Sequence, residues 1–151
     1  MNKQKHGNGI ITSMKKIVFA VCILLVISLF CACGPQFTVQ IAQTELGVIS
    51  AKVTKDFADV TPAEADHQLL VVTMQAQTLE PDLSALTDAI FGDTPSTAAD
   101  ETGAYPCTSI AFSQDSDSTS VYAIFEVPAS LKNKTVTISG EDFDSFSLQA
   151  K

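Results

Sequence analysis

Apolar residues fall into two regimes along this chain. Ile17 to Phe30 is one apolar run, broken only by Ser28 and free of charge; beyond residue 33 the apolar positions come in short alternating groups. Phe37-Thr38-Val39-Gln40-Ile41 alternates apolar and polar, and Gly47 to Val53 carries a second group. In Gln68 to Gln77, Leu70, Val72, Met74 and Ala76 recur at period two, the spacing of one strand face. Leu69 and Val71 make the start of the opposite face apolar as well, which predicts a central strand covered on both sides there. From Glu80 to Gly92 the period changes. Leu83, Leu86 and Ile90 stand at helical spacing, with Pro81 and Asp82 near the start and Gly92 past the end, predicting one helix of about 8–10 residues. Asp93 to Pro106 is polar and predicts an exposed loop. Thr108 to Ser113, Ser120 to Val127 and Thr135 to Ser139 then alternate as strands, and Phe143 to Leu148 adds a last edge strand. In the third-last of these groups Val121, Ala123, Phe125 and Val127 share one face, and Pro128 ends it. Many short strands with frequent turns and one helix predict a mainly β fold, an antiparallel β-sandwich.

The run from Ile17 to Phe30 is shorter than the ~20 apolar residues a comfortable membrane span needs. It follows a basic start, Met14-Lys15-Lys16, and ends on small residues. That order predicts a signal peptide over residues 1–32, with a polar region over 1–16 and its apolar region over 17–30. Met1 and Met14 both stand as possible starts. Leu29-Phe30-Cys31-Ala32-Cys33-Gly34 resembles the bacterial lipobox. The resemblance implies cleavage between Ala32 and Cys33, with Phe30, Cys31 and Ala32 as the cleavage site. It also implies a diacylglyceryl thioether on Cys33, and two acyl chains suffice for stable anchoring. The expected setting is the extracytoplasmic face of the cell membrane. Residues 33–36 then form a short tether, and three residues after the lipidated cysteine span only about 10 Å.

Leu69-Leu70-Val71-Val72-Thr73-Met74-Gln75 is followed later by Val121-Tyr122-Ala123-Ile124-Phe125-Glu126-Val127-Pro128 and Thr135-Val136-Thr137-Ile138. These groups resemble an immunoglobulin-like domain of unknown function, common in secreted lipoproteins of Gram-positive bacteria. The resemblance implies an immunoglobulin-like fold over 37–151 and a cell-surface setting. It carries no catalytic residues.

Charge narrows the function classes. All 17 acidic residues but only five lysines follow Cys33, and arginine is absent, so the processed chain carries a net charge of about −12. Phosphate backbones repel such a surface, which excludes nucleic-acid binding. Cys107 is the one cysteine after the lipobox, so no intramolecular disulfide is expected and a small buried residue is. His67 is the lone histidine of this part and, beside Asp66, is expected to be solvated. A zinc site of three or four N/S ligands is out of reach, and no Gly-x-Ser-x-Gly turn presents a nucleophile. Asp115 and Asp117 alternate with serines, faintly like a calcium loop, although the loop's glycine and terminal glutamate are missing. Glu141-Asp142-Phe143-Asp144 is a second acidic turn, suited to solvent, a cation or a partner. The sequence thus points to a non-catalytic binding or accessory module with no cofactor beyond the lipid. Its expected partners are the membrane, through the anchor, and a membrane-proximal protein. A calcium-dependent adhesion or stability element and an acidic-residue hydrolase are the alternatives.

Overall fold

The computed structural model describes residues 34–78 and 80–151; the expected signal peptide, its expected cleavage residues Phe30, Cys31 and Ala32, and Cys33 lie outside them. The folded unit begins at Pro35 and runs to Lys151. Its strands are β1 (Phe37–Ile41), β2 (Thr44–Thr54), β3 (His67–Ala76), β4 (Thr97–Asp100), β5 (Gly103–Gln114), β6 (Thr119–Pro128), β7 (Thr135–Gly140) and β8 (Phe143–Gln149). One α-helix, α1 (Leu83–Phe91), and a 3-10 turn at Ala129–Leu131 complete the fold. The described residues are therefore mainly β with one α-helix.

All eight strands belong to one antiparallel sheet in the order β1-β2-β3-β6-β5-β4-β7-β8. The sheet curls until its ends meet. A bridge joins Ala51 of β2 to Ala150, and Lys151 exchanges backbone hydrogen bonds with Ala51 and Val53, leaving a nearly closed, barrel-like wall. β8 stands last in the strand order, as the expected edge strand, and the residues just beyond it, Ala150 and Lys151, reach β2.

β5 makes the curl possible. Its first residues pair with β4 up to Pro106, and from Cys107 onward it pairs with β6. Pro106 has no N–H to give to a ladder, and a bulge between Cys107 and Ser109 bends the strand at that point. The Thr108 hydroxyl donates to the Ile124 carbonyl across the bulge at 3.1 Å.

The expected inward face of β6 is inward: Val121, Ala123, Phe125 and Val127 are buried with Leu70, Val72 and Met74 of β3. Val136, Ile138, Phe146 and Leu148 meet them from β7 and β8, so a single core fills the space inside the sheet. The opposite face of β3 is covered where the sequence placed it. Leu69 and Val71 join Ile124 in a second cluster beneath Phe57, Val60 and Tyr122. The Phe57 and Tyr122 rings pack with centroids 5.0 Å apart. The cover is the β2–β3 connection, which crosses the outside of the sheet.

α1 lies where the period predicted a helix. Asp82 caps it by accepting from the Ala85 N–H at 3.0 Å, and Leu86, Ala89 and Ile90 face the core. A side chain at Gly92 would run into the Asp88 carbonyl, so glycine is needed where the chain leaves the helix. The stretch from Asp93 to Pro106 corrects the expectation of a loop: it holds β4 and the start of β5, joined by a tight turn at Asp100–Gly103. Ser96, buried at its head, donates both its N–H and its hydroxyl to the Ile90 carbonyl at 2.9 Å.

Candidate functional site

Two surface regions gather functional side chains. The first is an acidic trough of about 860 Å³ at the end of the sheet where the β1–β2 and β7–β8 turns flank α1. Gln40 and Gln43 line one side, Asp88 comes from the helix, and Glu141, Asp142 and Asp144 come from the β7–β8 turn. A second hollow of about 610 Å³ continues past Asp88 and Asp142 to Asp93, and Phe91 stands exposed beside it. Among the described residues, no lysine lines either hollow. The acidic turn singled out in the sequence thus joins the helix carboxylate in one negatively charged face.

The second region is built around His67. The β2–β3 connection returns over the outer face of the sheet and ends at Glu64-Ala65-Asp66 before His67 opens β3. Glu126 stands on the adjacent strand, beside Leu69 in the β3–β6 ladder, and its carboxylate projects toward the returning loop. Glu126 Oε1 accepts the Glu64 N–H at 2.8 Å and stands 3.4 Å from His67 Nδ1. On the other side of the ring, His67 Nε2 lies 3.4 Å from Glu64 Oε2. The backbone N–H groups of Glu64 and Ala63, with the histidine beside them, hold the Glu126 carboxyl below its ordinary pKa, against the opposing effect of burial. Ligand atoms of Glu64, Asp66 and His67 lie within 4.8 Å of one another. They border a cleft of about 410 Å³, to which Lys55 contributes the cation.

His67 is therefore not the solvated residue expected from its polar neighbours, since its side chain is only 19% exposed. The constellation was missed because Glu126 is 62 positions from Glu64 and reads as an ordinary polar position of an alternating strand. A local signal was present in Glu64-x-Asp66-His67, which places two oxygen ligands and one nitrogen ligand within four residues.

Asp115 and Asp117 lie in the β5–β6 turn, where the Asp115 N–H donates to the Ser118 carbonyl at 2.9 Å. Both are exposed, and among the described residues no third His, Cys, Asp or Glu side chain joins them in a ligand group. Cys107 is buried and unpaired; burial pushes its thiol pKa up, and Sγ donates to the Ser109 carbonyl at 3.2 Å. No family model matches this chain, and neither a curated protein nor a solved structure is significantly similar to it.

Proposed function

We propose that this protein is a lipid-anchored extracytoplasmic lipoprotein whose immunoglobulin-like domain is a non-catalytic binding or accessory module working close to the membrane. The anchor reading rests on the lipobox at Phe30-Cys31-Ala32-Cys33. The observation that carries its functional consequence is how soon the fold begins after Cys33. The Gln36 N–H donates to the Val48 carbonyl at 2.7 Å, and its side-chain amide donates to the Ile49 carbonyl at 3.0 Å. A side chain on Gly47 would lie 2.7 Å from the Pro35 ring, so glycine there lets Pro35 seat against β2. The chain is held from Pro35 onward, which leaves Gly34 as the free link to the lipidated cysteine. At ~3.3–3.6 Å per residue, such a link keeps the domain against the headgroups.

The immunoglobulin-like reading rests on the Leu69–Gln75, Val121–Pro128 and Thr135–Ile138 groups of the sequence, all of which lie in antiparallel strands of the folded unit. The acidic trough supplies the chemistry of a partner, which must present basic or cation-bearing groups to a face rich in carboxylates. A photo-crosslinking residue in place of Gln43, in intact cells, tests this reading. Discrete adducts with a membrane or exported protein are expected. They should weaken when Asp88, Glu141 and Asp142 are changed to their amides. Absence of adducts from the trough, with adducts from a probe at Lys52 on the sheet wall, would overturn it.

A further inference from the structure

We infer that Glu64, Asp66 and His67 form a binding site for a divalent transition metal of the zinc type, with Glu126 as the carboxylate that orients the histidine. Three observations converge on it. The backbone that carries the imidazole is fixed: His67 begins β3 opposite Pro128 of β6, and its main-chain N–H donates to the Glu64 carbonyl at 3.2 Å. The two ring nitrogens also differ. Nδ1 is enclosed and makes no hydrogen bond, standing 3.4 Å from Glu126 Oε1, whereas Nε2 stands 3.4 Å from Glu64 Oε2 in the residues that border the cleft. A carboxylate beside Nδ1 favours a proton there, which leaves the Nε2 lone pair free to bind a metal; this carboxylate–histidine–metal relay recurs in zinc sites.

The third observation is the spacing. Two ligand atoms held at ~2.0–2.2 Å by a tetrahedral ion stand about 3.4 Å apart. His67 Nε2 and Glu64 Oε2 are separated by 3.4 Å, and the Asp66 carboxylate falls within the same 4.8 Å group. An imidazole with two carboxylates suits zinc, manganese or cobalt better than calcium, which takes oxygen ligands. Three protein ligands leave a fourth position open to the cleft, for water or a group from a partner. Lys55 borders the cleft as the opposing charge, so an ion must displace or outcompete its ammonium.

The alternative occupant of this geometry is a proton, with a charged imidazolium lying between Glu64 and Glu126. Zinc titration of the full chain in detergent micelles, followed by calorimetry and by the ring ¹⁵N signals of His67, separates the two. The expected result is one ion per chain, an Nδ1–H tautomer in the loaded protein, and loss of binding by at least 100-fold in His67→Gln. Glu64→Gln and Asp66→Asn should each weaken binding. Glu126→Gln, which removes no ligand, should weaken it 10–100-fold. Unchanged melting temperatures before zinc is added establish that the variants fold. Absence of zinc binding, or affinity unchanged in His67→Gln, would overturn the inference. Neither outcome bears on the lipid anchor or the acidic trough.

Discussion

Asp100 shows how much one carboxylate can organise. It closes the β4–β5 turn by accepting from the Thr102 hydroxyl at 2.6 Å, the Thr102 N–H at 2.9 Å and the Gly103 N–H at 3.2 Å, with Lys134 Nζ at 3.5 Å. The Thr102 hydroxyl leads these in holding its pKa below the ordinary value, and desolvation opposes them. A depressed pKa in the folded state contributes stability above the unfolded carboxyl range. That contribution is lost as the pH falls through the folded value. Asp100→Asn should therefore cost about 1 kcal/mol near neutral pH and less below about pH 4, in denaturant titrations across that range. An equal cost at every pH would mean that the charge is not what closes the turn. None of this was legible in Asp100-Glu101-Thr102-Gly103 beyond a polar turn, because the role depends on how β4 and β5 pair. Cys107 was legible, since a lone small thiol among strand residues belongs in a core.

At the scale of elements, β1, β3, β6 and α1 followed from period alone, because each has one strongly apolar face to bury. β4 did not. Thr97-Ala98-Ala99-Asp100 has little strand propensity of its own, and Ala98 earns its burial from Ile138 and Tyr105 across the ladders on either side. The β1–β2 hairpin was also hidden, because its turn lacks the Asn-Gly signal. Ala42 and Gln43 adopt positive φ of 47° and 65°, where a Cβ is disfavoured by roughly 1–2 kcal/mol per residue. Gln43→Gly should raise stability by about 0.5–1 kcal/mol after the extra entropy of glycine in the unfolded chain is subtracted. Chemical denaturation checks it, and a loss of stability would show that Gln43 makes contacts worth more than the strain.

For the whole molecule, the mainly β class was visible in the sequence, but the closure of the sheet was not. Closure depends on a bulge at Cys107–Ser109 and on Ala150 reaching Ala51, pairings between residues far apart in the chain. The part of Glu126 in the His67 cluster was out of sight for the same reason, because that carboxylate comes from a neighbouring strand, whereas Glu64, Asp66 and His67 stand together in the sequence. The short link to Cys33 was visible from the start, and the seating of Pro35 and Gln36 on β2 shortens it further. The proposed placement at the membrane depends on lipid at the Cys33 sulfur. The measurement that tests it most directly is metabolic labelling with a fatty-acid analogue, wild type beside Cys33→Ala, followed by membrane fractionation. Label and membrane retention in the wild type, and neither in Cys33→Ala, are predicted. Equal labelling of both proteins, or of neither, would contradict the anchor and with it the placement of the domain against the headgroups.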